Sequence, residues 1–126
     1  MKELTTAEEQ VMEYLWKLDE AFVKDILEQF PEPRPAYNTV STIVRILEKK
    51  GMVGYNAYGK THQYYPLYTK SEYKKGRFKD VLSKHFNNSY QKFASFFARE
   101  EDVSIADLEE MKKIVEEEIE KRKKNS

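Results

Sequence analysis

Two segments near the N-terminus repeat apolar residues every three or four positions, which predicts amphipathic helices. The first helix is predicted from about Thr6 to Leu18, and Thr6 with Glu9 has the spacing of a capping box at its start. The second helix is predicted from about Ala21 to Phe30, where a proline-containing loop ends it. Both patterns indicate short helices that bury one face.

A third helix is predicted within residues 34–50, with Asn38 as its N-cap and Gly51 as its stop. Its apolar side consists of Val40, Ile43, Val44, Ile46 and Leu47. Its other side carries short polar groups and one guanidinium, from Tyr37, Asn38, Thr39, Ser41, Thr42 and Arg45. Such groups are suited to read base edges and phosphates, although an ordinary solvated helix face has the same pattern. Three short helices in this order are typical of a helix-turn-helix unit.

The hydrophobic pattern changes period after the third helix. Residues 52–58 and 61–65 read as two strands, Gly59 and Lys60 form the turn between them, and Pro66 ends the second strand. A hairpin directly after the third helix of such a unit is a wing. Lys60 at the tip is a candidate phosphate contact, and the alternative is an ordinary solvated lysine.

Three more helices are predicted after a boundary near residues 69–71. They cover about residues 71–86, 89–99 and 105–123, with Ser89 as a candidate cap and Ser104 with Asp107 as a second capping pair. The predicted fold class is therefore mainly α with a small β-hairpin. It combines an N-terminal winged helix-turn-helix DNA-binding domain, residues 1–70, with a C-terminal three-helix dimerisation region, residues 71–126.

The three C-terminal helices have long apolar stripes but enclose little core, because small chains bury a small share of their surface. We therefore expect a twofold homodimer in which each chain covers the stripe of the other. The alternative is that the stripe packs back on residues 1–70. The residues expected at the dimer contact are Phe78, Leu82, Phe86, Phe93, Phe96, Phe97, Leu108, Met111 and Val115.

The distribution of charge is more informative than the total, which is 22 basic against 22 acidic residues. Residues 33–70 hold six Lys or Arg against one acid, whereas residues 1–32 hold three against nine. A basic middle after an acidic start predicts one electropositive working surface. This pattern favours a DNA-binding domain over the alternative function, a winged-helix module that binds only proteins.

The sequence offers little chemistry for catalysis or metal binding. It has no cysteine, which excludes disulfides, cysteine-based zinc sites and cysteine nucleophiles. The two histidines, His62 and His85, lie on different predicted elements, and we expect structural roles for both, with packing or a weak phosphate contact for His62. No run approaches the ~18 apolar residues of a membrane helix. We expect a cytoplasmic protein with no signal peptide, membrane insertion, cofactor, metal or enzymatic activity.

Taken in order over nearly the whole chain, these features resemble the penicillinase repressor family, the winged-helix repressors of β-lactamase and methicillin-resistance genes. The similarity is carried by short motifs in both halves of the chain. They are Thr6-Ala7-Glu8 before Val11-Met12 and Leu15-Trp16, Thr39-Val40-x-Thr42 with Leu47 and Lys50-Gly51, Gly59-Lys60, Tyr64, Pro66-Leu67, Asn88-Ser89, and Glu101-Asp102-Val103-Ser104 before Leu108-Glu109-Glu110.

The resemblance implies a homodimer that binds a dyad operator in double-stranded DNA and blocks transcription. It assigns base and phosphate roles to Asn38, Thr39, Ser41, Thr42 and Arg45, and the wing phosphate role to Lys60. It also implies a partner that relieves repression, either a membrane sensor or a protease.

Two departures from the family pattern matter, and one motif of a group of relatives is missing. Ile46 stands where an arginine usually precedes the closing leucine of the third helix, so one backbone contact is expected to be missing. Phe96-Phe97 replaces the Asn-Phe bond at which some members are cleaved, which argues against release by cleavage there. The C-terminal cysteine motif of copper-responsive relatives is absent, which disfavours copper sensing by that route.

Overall fold

The structure is a computed structural model that describes residues 2–126, and in that range helices are combined with a small antiparallel sheet. The helices are α1 (Thr6–Leu18), α2 (Val23–Gln29), α3 (Tyr37–Lys49), α4 (Lys70–Phe86), α5 (Tyr90–Ala98) and α6 (Ile105–Asn125). The strands are β1 (Ala21–Phe22), β2 (Val53–Tyr58) and β3 (Thr61–Pro66). The predicted class, mainly α with a hairpin wing, is confirmed.

The start of α1 differs from the prediction by one residue. The Glu8 backbone N–H donates to the Thr5 hydroxyl at 3.2 Å, and the Thr5 N–H donates to the Glu8 carboxylate at 3.3 Å, which makes Thr5 and Glu8 the capping box. The predicted pair, Thr6 and Glu9, was wrong. Both pairs have the same spacing, so the local pattern does not choose between them.

The start of α3 was also predicted wrongly. Ala36 is the N-cap residue and makes no side-chain cap bond, while Asn38 is the second residue of the helix. The carbonyl of Ala36 accepts the backbone N–H groups of Thr39 and Val40 at 3.0 and 3.2 Å. The Asn38 amide is therefore not used as a cap and stays on the exposed side of the helix.

The wing is a three-stranded sheet rather than a hairpin alone. The order is β1-β3-β2, and Ala21 and Phe22 pair with Tyr64 and Gln63 of the central strand β3. The predicted second helix therefore loses its first two residues to the sheet and begins at Val23. Gly59, with a φ of +64°, makes the turn between β2 and β3 at a backbone angle that L-residues rarely adopt.

The chain divides into two compact units, the first ending at Asp80 and the second comprising Val81–Ser126. The core of the first unit is formed by apolar faces of the first three helices together with the wing. Its largest fully buried side chains are Val11, Met12, Leu15, Ile26, Val40, Val44, Leu47, Met52 and Val53. These positions repeat at helical spacing in α1 and α3, so burial of these faces decides which sides of the helices meet solvent.

The second unit contains a cluster of phenylalanine rings. Phe86 contacts Phe93 edge to face and lies against Phe96, in both cases with ring centroids 5.5 Å apart, and Phe97 stacks near Phe93 at 6.0 Å. Within the described chain, no residue of α5 or α6 is fully buried. Aromatic contacts thus order this unit while much of its apolar surface stays exposed.

A largely buried ion pair joins the start of α1 to the end of α3. The Lys50 ammonium donates to the Glu8 carboxylate and, at 3.0 Å, to the Glu3 carbonyl oxygen. Burial raises the pKa of Glu8, but the hydrogen bonds from Lys50 and Thr5 outweigh it, so the pKa lies below its ordinary value of 4.5.

We expect Glu8→Gln to destabilise the first unit by about 1–3 kcal/mol at neutral pH, because a charge-assisted bond is lost. A group whose pKa is lowered by folding stabilises the fold above its unfolded pKa, and this stabilisation is lost as the pH falls through the folded pKa. The difference from wild type should therefore shrink below pH 4.5. Urea unfolding followed by fluorescence of Trp16, the single tryptophan, measures it. A pH-independent difference would contradict this role.

Candidate nucleic-acid interface

One side of α3 presents a continuous column of exposed polar side chains. Asn38, Thr42, Arg45 and Lys49 are spaced by four, three and four residues, which places them one above another on a helix. The buried residues Val40, Val44 and Leu47 lie on the opposite side. Packing of that apolar side therefore fixes which groups face outward.

The polar groups of this column are arranged for different kinds of contact. The Thr42 hydroxyl donates to the Asn38 carbonyl at 2.8 Å, so it offers its oxygen lone pairs and its methyl group outward. Asn38 keeps an amide with both a donor and an acceptor, and Arg45 has a guanidinium with several donors. Thr39 is also exposed, while Ser41 is half-buried.

A cleft of about 420 Å³ separates α3 from the wing. Tyr37, Ser41 and Arg45 line it from the helix, and Lys60 lines it from the wing. The structure thus brings four of the predicted site residues together around one cleft. The other three, Asn38, Thr39 and Thr42, are exposed on α3 outside this cleft.

Aromatic rings form the wing side of this cleft. The His62 ring stacks on Tyr55 with centroids 4.1 Å apart and an angle of 8° between the planes, which supports the packing role expected for His62. Tyr64 beneath them is buried, and burial, followed by the charge of Glu48, raises the pKa of its phenol. These three rings also contact one another, with Tyr64 lying 5.9 Å from Tyr55 and 6.0 Å from His62 between centroids.

The cations around the cleft have no acidic partner. Arg45, Lys49 and Lys60 form no ion pair within 4.0 Å with any described residue, whereas Lys50 is held by Glu8. Glu48 also lines the cleft but pairs with none of them, so their charge is available to an anionic ligand. Lys49 was not among the predicted DNA contacts, because the pair Lys49-Lys50 before Gly51 indicates only the end of a helix. Its position four residues after Arg45 places Lys49 on the same side of the helix as Asn38 and Arg45, and this spacing is visible in the sequence.

Comparison with known sequences identifies a family over most of the chain. The family model described as "Penicillinase repressor" matches residues 4–117. The chain belongs to the penicillinase repressor family. Methicillin resistance regulatory protein MecI of Mammaliicoccus sciuri is 28% identical over 114 residues, which cover 90% of this chain and 93% of MecI. MecI of Staphylococcus aureus strain N315 is 27% identical with the same coverage.

A solved structure entitled "CopR Repressor Structure" is 35% identical, with a TM-score of 0.45, and covers 53% of this chain and 99% of its own. As a member of the penicillinase repressor family, the protein is a transcriptional repressor and not an enzyme. Among the described residues 2–126, no group of three or more His, Cys, Asp or Glu side chains is placed to hold a metal ion. None of the helices in that range is both long and apolar enough to cross a membrane.

The residues predicted at a dimer contact occupy different environments in this family member. Leu82 is already buried in the single chain, and Phe78, Phe86, Phe93, Phe97 and Leu108 are partly buried. Phe96, Met111 and Val115 are exposed. Ile119 was not among the residues predicted at the contact, but it is 46% exposed and continues the helical series of Leu108, Met111 and Val115 along α6.

Proposed function

We propose that the protein is a homodimeric, sequence-specific DNA-binding repressor that places α3 of each copy in the major groove of a dyad operator. The observation that carries the proposal is the column of outward polar groups on α3 beside cations that have no ion-pair partner in the described chain. Base edges and phosphates are the ligands that such a surface recognises. Residues 1–70 would then form the DNA-binding domain and residues 71–126 the dimerisation region.

The side chains of α3 suit distinct roles against a duplex. Asn38 matches the donor and acceptor pair on the major-groove edge of adenine, and Arg45 matches the two acceptors of guanine. Thr42, whose hydroxyl proton is used within the helix, suits a thymine methyl group. Lys49, Tyr37 and Ser41 suit the phosphates on either side.

The twofold partner is proposed to be a second copy of the same chain. The series Leu108, Met111, Val115 and Ile119 forms an apolar stripe on α6, and its last three members are 38–56% exposed. Apolar stripes of this kind are covered in helical dimers. Half-site centres should lie about 34–36 Å apart along the duplex, or a multiple of that distance, because both α3 helices face the same side.

The protein is expected to bind random duplex DNA at about 50 mM salt and to release it as the salt concentration rises, because nonspecific affinity is electrostatic. Selection of bound sequences from a random pool should then yield a twofold-symmetric site. Failure of the wild-type chain to bind any duplex at low salt would refute the proposed function. It would favour a winged helix that contacts only proteins.

The Lys60→Ala variant should lower the slope of log affinity against log salt by about one unit, because one phosphate contact releases about one counterion. The order of preference among DNA sequences should not change, since a phosphate carries no sequence information. Fluorescence anisotropy over a salt series measures both. Lys17→Ala is the matched control, since Lys17 is exposed on α1 and lies outside the α3–wing cleft. Equal slopes for both variants would refute the wing contact.

We also propose that repression operates in the cytoplasm and is relieved by a membrane sensor or a protease. Phe96, which lies on α5 at the position of the bond cleaved in some relatives, is 58% exposed. The pair Phe96-Phe97 lacks the asparagine of that bond. Mass spectrometry of the protein from derepressed cells tests whether the chain is cut there or released intact.

A further inference from the structure

We propose that Lys24, Tyr37 and Tyr58, gathered beside Phe22, form a second binding notch for the sugar-phosphate backbone of the duplex, next to the groove that α3 reads. The inference rests on the DNA-binding function proposed above. It assigns backbone contacts to residues of α2 and β2 that the sequence pattern does not single out.

The notch is a cleft of about 470 Å³ lined by Phe22, Lys24, Tyr37, Tyr58 and Thr61. The rings of Phe22 and Tyr58 meet edge to face, with centroids 6.1 Å apart and planes at 62°. Phe22 is fixed because it pairs with Gln63 of the central strand, and its N–H donates to Asp25 at 2.9 Å. The short strand β1 thereby holds the start of α2 against the tip of the wing.

The polar groups of the notch are exposed and not used elsewhere. Tyr58 is 58% exposed and Tyr37 is 52% exposed, and neither hydroxyl makes a hydrogen bond to another described residue. Lys24 is exposed and forms no ion pair within residues 2–126. Two phenol hydroxyls and one ammonium group are therefore available around the apolar ring of Phe22.

The charge of the notch selects an anionic occupant. None of its lining residues is acidic, and the nearest acid in the sequence, Asp25, already accepts the Phe22 N–H. A phosphodiester supplies acceptor oxygens for the ammonium and the phenols, and its deoxyribose supplies an apolar surface for the aromatic rings. The phosphate backbone of DNA combines both features in one repeating unit.

The notch borders the cleft between α3 and the wing. Tyr37 and Thr61 line both cavities, so a DNA backbone that contacts Lys60 and Arg45 at the first cleft lies close to the second. The bound phosphate should therefore lie on the backbone beside the bases read by α3. The notch would fix the register of the helix in the groove without reading sequence.

The first test compares Lys24→Ala and Tyr58→Phe with wild type and with the Lys17→Ala control, using the full chain and the selected operator. Lys24→Ala should lower the salt slope by about one unit, because a phosphate contact with a cation is lost. Tyr58→Phe should lower affinity by roughly 2- to 10-fold and leave the slope unchanged, since a neutral hydrogen bond releases no counterion. Trp16 fluorescence during thermal unfolding verifies that each variant is folded.

The second test replaces single phosphates of the operator with neutral methylphosphonates. Wild type should lose affinity at one phosphate that flanks each half-site, and Lys24→Ala should be insensitive to that same replacement while remaining sensitive at the phosphate paired with Lys60. If wild type binds the operator but Lys24→Ala keeps the wild-type slope and sensitivity, the notch is refuted and the DNA-binding function stands. If wild type does not bind any duplex, both proposals are refuted.

Discussion

Replacing Val115 with Asp is expected to make the protein monomeric and to lower its affinity for a two-half-site operator by about 10²–10⁴-fold, because the second half-site no longer binds intramolecularly. Val115 lies in the middle of the α6 stripe with Met111 and Ile119, and it is 56% exposed in the single chain. A carboxylate at the centre of an apolar contact loses its hydration without gaining a partner. Because Val115 covers no core of its own chain, the substitution should affect association more than folding.

Sedimentation at micromolar protein concentration measures the oligomeric state, and anisotropy on full and half operators measures binding. Lys113→Asp is the matched control, because it places the same side chain on the opposite side of α6. The control should remain dimeric. Val115→Asp should bind a single half-site with the affinity of wild type and lose only the advantage of the paired site. A dimeric Val115→Asp variant with full operator affinity would contradict the proposed interface.

The first three helices were predictable because each buries one face, and burial imposes a period that one sequence displays. The exact first residues of the helices were harder to predict. Thr5 and Thr6 precede Glu8 and Glu9 at equal spacing, so two capping boxes are equally compatible with the local sequence. The choice of Thr5 depends on more than the first turn, since Glu8 also accepts from Lys50, 42 residues away.

The strand β1 was not predictable from local pattern. Two residues, Ala21 and Phe22, are too few to show alternation, and their partners in β3 lie more than 40 residues later in the chain. The sequence around Phe22 does not predict its pairing with β3. This pairing places Phe22 beside Tyr58 and so forms the notch. The notch could therefore not be predicted from the sequence.

The outward face of α3 was predictable in composition but not in detail. Periodicity identified the polar side, and the structure places Asn38, Thr42 and Arg45 on it. Periodicity did not reveal that the Thr42 hydroxyl donates to the Asn38 carbonyl, nor that Lys49 and Lys50 have different surroundings. Adjacent residues on a helix point about 100° apart, so one lysine meets solvent while the next reaches a buried carboxylate.

Replacing Arg45 with Ala is expected to weaken operator binding by about 5- to 150-fold, the range of ~1–3 kcal/mol for a bidentate base contact. Arg45 lies in the outward column of α3, lines the cleft with the wing, and has no acidic partner within 4.0 Å among the described residues. No ion pair among the described residues therefore depends on its guanidinium. Affinity for random duplex should fall much less, because only the loss of one charge affects it.

The Arg45→Lys variant separates the contribution of the positive charge from that of the bidentate base contact. It keeps the positive charge but loses the planar fork that binds two acceptors of one base. We expect it to retain the salt slope of wild type and to lose discrimination at one base pair of each half-site, as measured by anisotropy on an operator series with single substitutions. If Arg45→Lys discriminates as wild type does while Arg45→Ala loses affinity equally on all duplexes, Arg45 contacts a phosphate. Base reading must then come from Asn38 and Thr42.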